Sequence, residues 1–485
     1  MERKNVWTLY DLELQKACND FCESYKDFLN RCKTERECTD FFVNKAEDAG
    51  FRELSGLIAE GKKLQAGDKV YSVCMNKSIA LFVIGSEPME KGMNILGAHI
   101  DSPRLDVKQN PLYEDADLAY LDTHYYGGIK KYQYVTIPLA LHGVIVKKDG
   151  ETVVLNVGED EDDPVFFVSD LLIHLAQEQM GKNAAKVVEG EALDIIIGGK
   201  PVIIDADTKV GKAGIKGEEE DEDKKDKKAS STVKKAILAI LKETYGIEEA
   251  DFESAELEVV PAGKARDAGF DRSMILAYGQ DDRVCAYPSF EAILQAGTPA
   301  RTSCTLLVDK EEIGSVGATG MQSRFFENTV AELMALTGEY SELSLRRCLA
   351  NSCMLSSDVS AGFDPTYAAA FEKKNAAYLG RGMVFNKFTG ARGKSGSNDA
   401  NAEYIAHLRD VFGRANVQTQ TAELGKVDVG GGGTIAYILA LYGMNVIDCG
   451  VAVLSMHSPW EATNKADIYE TFRGYKVFLE EAGTF

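Results

Sequence analysis

Five apolar stretches of this chain end in residues that can bind a divalent metal, and the repetition is more informative than any one of them. The first, Asn94-Ile-Leu-Gly-Ala-His99-Ile-Asp101, carries a histidine and an aspartate two residues apart, which the alternation of a strand places on one face. The Asp101 carboxylate can there accept the second ring N–H of a ligating His99. The second is Ala277-Tyr-Gly-Gln-Asp281-Asp282-Arg283, and the third is Leu306-Leu-Val-Asp309-Lys310-Glu311-Glu312. The fourth and fifth are Met354-Leu-Ser-Ser-Asp358 and Val451-Ala-Val-Leu-Ser-Met-His457. Of the six histidines (99, 124, 142, 174, 407 and 457), two thus stand at strand ends beside acids, as a nitrogen-and-carboxylate zinc site requires. The neighbours Glu311 and Glu312 can divide the work, one binding metal while the other, pointing away, takes a proton from water. Singly, each stretch has an ordinary explanation as surface acids or a structural histidine. Together they point to a metal centre with its own general base.

To converge, these residues need strands that deliver their carboxyl ends to one edge, where open α/β sheets gather their ligand sites. Short apolar runs at 70–74, 80–84 and 93–96 predict the first strands, preceded by a helix in which Leu12, Leu14, Cys18, Phe21 and Tyr25 recur at helical spacing. From residue 251, strands at 303–308 and 446–454 alternate with helical stretches such as 323–336, and Gly430 to Gly433 form a turn feeding a buried helix. The intervening residues differ in texture, with short β-like runs at 135–139, 144–146, 152–155 and 202–204. A block of charge at 217–228 has nothing apolar to bury and predicts an exposed loop. After it, Ser231 or Thr232 can cap a helix with Val233, Ile237, Ile240, Leu241 and Tyr245 on one face and Gly246 at its stop. The expected architecture is an α/β domain, 1–108 plus 251–485, interrupted by a mostly β domain at 109–250.

Composition removes other classes. The 485 residues, 45% hydrophobic and 27% charged, suit a globular protein with more than one core. With 54 basic against 76 acidic residues the net charge is −22, which argues against nucleic acid as a partner. The charged start, with no apolar core after it, argues against a secretory signal or a membrane anchor. Ten cysteines without a C-x-x-C spacing are too sparse for a disulfide framework and predict a reducing, cytoplasmic setting.

Several segments make the chain resemble the M18 family of metallo-aminopeptidases, the aspartyl aminopeptidase group, and its bacterial members in particular. Gly97-Ala-His99-Ile-Asp101-Ser102-Pro103-Arg-Leu105-Asp-Val107-Lys108 matches that family's GAHxDSPxLxVK segment, and Asp309-Lys-Glu311-Glu312-Ile-Gly314-Ser315 matches its D-x-E-E-[VI]-G-S segment. Ser357-Asp358, Gly433-Thr434-Ile435 and Ser455-Met456-His457-Ser458 follow in the family's order. The resemblance implies a zinc-aminopeptidase-like mixed sheet covered by helices. It also implies two divalent ions, zinc first with cobalt or manganese as alternatives: His99 and Asp358 on one, Glu312 and His457 on the other, Asp281 bridging. Asp101 is then the residue that orients His99, and Glu311 the general base.

The implied reaction removes the N-terminal residue of short peptides, whose free amine docks beside one metal. The implied assembly is a homododecamer contacting through the inserted domain, where His174 lies in a stretch like one from which a family histidine reaches a neighbouring active site. Lys387 and Lys394 are candidate cations for an acidic substrate side chain. Against a strict acidic preference, Pro459-Trp460-Glu461 stands where acid-specific members carry a basic residue nearby. Two rival readings are a dinuclear-metal deacylase or carboxypeptidase, which needs a site for a substrate carboxylate, and a non-catalytic oligomeric scaffold, which full retention of the seven site residues disfavours.

Overall fold

The computed structural model describes residues 3–202 and 232–483. They divide into two compact units, Met1–Pro103 with Lys264–Phe485, and Arg104–Gly263.

The first unit is built round a nine-stranded sheet. Four of its strands, Thr302–Val308, Met93–His99, Cys353–Ser357 and Asn445–Gly450, run parallel side by side. They are buried on both faces, as parallel strands under helices must be. Leu96, Ala98 and Leu307 join a core with the helices Leu12–Arg31, Gln280–Leu294 and Lys465–Glu481. Ile95 and Leu306, pointing the other way, join one with Phe325–Thr337 and Glu342–Asn351. The parallel register, with Val308 opposite His99 and Ser356 opposite Gly97, brings the three chain exits at His99, Val308 and Ser357 out on one edge.

A second, five-stranded sheet orders Arg266–Ala268, Met274–Ala277, Glu461–Asn464, Ala452–Leu454 and Ser360–Ala361. It corrects the expectation of one strand over 446–454. Asn445–Gly450 belongs to the large sheet and Ala452–Leu454 to the small one. Gly450 marks the change, because a side chain there would run into the carbonyl of Asp358. The helix expected after the glycine turn is short, Ala436–Ala440, and that at 323–336 is Phe325–Thr337.

The second unit carries six antiparallel strands in the order Thr152–Val157, Leu139–Val146, Ala255–Pro261, Arg104–Asp115, Leu118–Tyr126 and Ile195–Gly198. Arg104–Asp115 and Ala255–Pro261 pair with each other, Leu105 opposite Val259, so the limits 109 and 250 cut through this sheet. Of the run at 135–139 only Leu139 lies in a strand; Pro138 has no N–H to give to a ladder. Helix Thr232–Tyr245 packs Ile237, Leu241 and Tyr245 against the sheet, with Gly246 beyond its end at φ +69°. Residues 203–204, the charge block and Ser231 lie outside the described residues. All ten cysteines are free thiols. No helix among the described residues is long and apolar enough to cross a membrane.

Candidate metal centre

His99, the last residue of its strand, and Asp101 are both buried. Asp101 ties two chain exits together: its Oδ1 accepts the Glu311 N–H at 3.1 Å and its Oδ2 the Glu312 N–H at 3.2 Å. The ring Nδ1 of His99 lies 3.0 Å from the Asp101 carbonyl oxygen and 3.3 Å from Oδ1. These acceptors place the ring proton on Nδ1 and aim Nε2 the opposite way. Asp101 lies past the end of the strand, so the turn after His99, rather than strand alternation, brings the carboxylate to the ring.

Nε2 of His99 faces Asp281 Oδ1 at 3.2 Å and Glu311 Oε2 at 3.9 Å. Asp281 follows a turn at Gly279, whose φ of +67° suits glycine and where a Cβ would collide with Arg283 and crowd the Ser102 hydroxyl. That hydroxyl donates to the Asp281 carbonyl at 2.7 Å. The other carboxylate oxygen, Oδ2, is 3.2 Å from Nε2 of His457, which also faces Glu312 Oε1 at 3.6 Å. Asp281 therefore stands between two imidazoles with one oxygen toward each. His99, Glu311 and Asp358 offer donor atoms within 4.8 Å of one another; so do His99, Asp281 and Glu312, and so do Asp281, Asp282 and Asp358. The large sheet supplies His99, the glutamates and Asp358, and the turns after two strands of the small sheet supply Asp281 and His457.

The electrostatics fit a cation. Burial pushes the Asp282, Glu312 and Asp358 carboxyls well above the usual carboxylate range. Burial pushes Glu311 up to about 7, with the His99 imidazole opposing and Asp101 and Asp281 adding to the rise. Asp281 goes the other way, because the His457 and His99 imidazoles outweigh its burial and hold it below that range. Asp281 Oδ1 and Glu312 Oε1 are buried and have no hydrogen-bond partner among the described residues. One ionised acid ringed by acids that resist ionisation is a donor set that a dication would complete, and its imidazole nitrogens and carboxylate oxygens suit zinc.

The remaining candidates lie outside this cluster. Lys394 pairs with Asp399 at 3.0 Å and lies over the Phe388 ring, 3.9 Å from its centroid. Lys387 is exposed and follows strand Met383–Asn386. His174 sits in a single helical turn, Ile173–Leu175, of the second unit. Asp448, not among the residues expected from the sequence, is a buried acid that accepts the Thr434 hydroxyl at 2.6 Å and so anchors the glycine turn. The available signal was a charge inside an otherwise apolar strand, Asn445–Gly450.

Two sheets that bring histidines and carboxylates together, with a buried acid set between two imidazoles, form the kind of centre that metal-dependent hydrolases use. The family model described as Aminopeptidase I zinc metalloprotease (M18) matches residues 28–479. A probable M18 family aminopeptidase 1 of Clostridium acetobutylicum is 60% identical over 478 residues, covering 99% of this chain and 98% of the relative. The crystal structure of an M18 aminopeptidase from Thermotoga maritima superposes with a TM-score of 0.89 at 41% identity, over 99% of this chain and 100% of that one. The mApe1 dodecamer of S. cerevisiae shares the fold, with a TM-score of 0.71 at 20% identity over 95% of this chain and 96% of that one. The chain belongs to the M18 family and is a metallo-aminopeptidase, a hydrolase of peptide bonds.

Proposed function

We propose that the cluster holds two zinc ions and that the enzyme removes the N-terminal residue of short peptides. The observation that carries this reading is Asp281, with Oδ1 toward His99 and Oδ2 toward His457. His99 and Asp358 would hold one ion and Glu312 and His457 the other, with Asp281 serving both. Two such ions would supply polarisation of the scissile carbonyl, an acidic water and an anchor for the substrate's free amine. Asp101 positions His99 and the turn that carries both glutamates. Glu311 takes the proton of the attacking water and returns it to the departing amine. Its side chain keeps 15% of its surface exposed against 3% for Glu312, which suits a base that meets substrate beside a ligand that does not.

If the enzyme prefers an acidic N-terminal side chain, Lys387 is the candidate cation to read it. Its neighbour Asn386 lies 3.5 Å from Ser360, two residues past Asp358, whereas Lys394 is already paired with Asp399. The test is kcat/KM on Asp-, Glu-, Leu- and Lys-anilides with an N-acetylated control, before and after chelation and re-metallation. Chelator-sensitive cleavage of the free-amine substrates alone is expected. Lys387→Ala should lose about tenfold on the Asp- and Glu-anilides and little on the Leu-anilide, the worth of one charged hydrogen bond. Cleavage of only the acetylated control would make the enzyme a deacylase, and silence from metal-loaded protein would favour the scaffold.

The second unit supplies the surface for self-association. Leu171, Leu172, Ile173 and Leu175 are exposed one after another, Leu175 at 70%. Such an apolar run marks an interface. A homododecamer like that of mApe1 would cover it and bring His174 to a neighbouring copy's site. Leu172→Glu with Leu175→Glu should reduce the mass measured by light scattering, and an unchanged mass would put the interface elsewhere. A cytoplasmic setting completes the proposal, supported by ten cysteines that are all free thiols.

A further inference from the structure

Asp281 and His457 come from turns of different connectivity, yet their aim is fixed by one residue. Glu461 is 1% exposed at the start of strand Glu461–Asn464, paired with Ala277 at the end of the strand that leads to Asp281. Its Oε2 accepts the Asp281 N–H at 3.0 Å and its Oε1 accepts the His457 N–H at 2.7 Å. Its main-chain carbonyl accepts the Gln280 side-chain amide at 2.6 Å, and that amide also donates to the Ile275 carbonyl at 3.1 Å. One carboxylate thus holds both residues by their backbone, and His457 sits at φ +64°, where a residue other than glycine needs such support. Glu461 is in none of the clusters whose donor atoms converge. We propose that Glu461 is a positioning residue for the metal centre: it sets the carboxylate of Asp281 against the imidazole of His457 so that the two face one ion.

Both bonds are backbone N–H donations to the two oxygens of one side chain, and each needs an acceptor there. A glutamine of the same size keeps one acceptor oxygen and turns an NH2 toward the other N–H, so one of the two ligands must rotate away. The cost falls on the geometry of the pair, and the loss of such supporting partners typically weakens metal binding by 10–100-fold.

The inference rests on the two-ion reading above, and the experiment separates the two. Wild-type and E461Q full-length enzyme are loaded with zinc and titrated with a competing chelator, metal content is counted, and the visible spectra of the cobalt-loaded forms are recorded. The expected result is two ions per wild-type chain, at least one site about 10–100-fold weaker in E461Q, an altered cobalt spectrum, and a fall in kcat with KM within about threefold. Fewer than two ions on the wild type would overturn the two-ion reading whatever E461Q shows. Two ions on the wild type, with E461Q matching its affinity and cobalt spectrum while melting lower without metal, would make Glu461 purely structural and overturn the inference. Should E461Q fail to fold, E461D keeps both acceptor oxygens, withdraws them by one methylene, and carries the same expected outcomes.

Discussion

Glu311→Gln keeps its metal and loses turnover by about 10²–10⁴-fold, the usual worth of a general base. Glutamine has the size of glutamate and cannot take a proton from water. The main-chain N–H of residue 311 still donates to Asp101, so the turn stays where it is. Metal content should match the wild type, since Glu312, Asp281 and the two histidines are untouched, and KM should change little. The pH profile gives a second check. Burial holds the Glu311 carboxyl up to about 7, and cations beside it lower that value. The base is competent above its pKa, so wild-type kcat/KM should climb through an acid limb at or below about pH 7, and that limb should vanish in the variant. A variant that lost metal along with turnover would make Glu311 a ligand.

The strands of this site that were legible as strands in the sequence are the long ones. Met93–His99 and Thr302–Val308 are buried along their whole length, so their apolar runs and the acids after them stand out. The small sheet left only short apolar runs, enough to single out Asp281 and His457 but not the sheet that holds them. Its strands are two to four residues long, too short for any periodicity. Its strand Ala452–Leu454 fuses in the sequence with Asn445–Gly450, and only the close pass of Gly450 against Asp358 separates them. For the same reason Glu461 was visible as a residue near His457 but not as its support. That role depends on the pairing of Ala277 with Glu461, a register between segments far apart in the chain. The edges of the second unit were misplaced by a related effect. The family-like segment runs on to Lys108, whereas the strand that holds it, Arg104–Asp115, belongs to the other sheet from its first residue.

Asp281→Ala should be the most damaging single change, because it removes the one group placed between both histidines. A residue that serves one ion and a residue that serves two leave different signatures in metal content. His457→Ala deletes a donor from the half that also contains Glu312, so about one ion per chain should remain, held by His99, Asp358 and Asp281. Asp281→Ala withdraws the anion from both halves, and both ions should bind weakly or not at all, with turnover down by at least about 10³-fold. Asp281→Asn tests whether shape suffices. It keeps one neutral oxygen and the backbone N–H donated to Glu461, so the turn is preserved, but it cannot present an anionic oxygen to each imidazole. If Asp281→Asn lost a single ion as His457→Ala does, Asp281 would be an ordinary ligand of one site. Loss of both ions from Asp281→Asn, beside loss of one from His457→Ala, is the outcome that only a shared carboxylate produces.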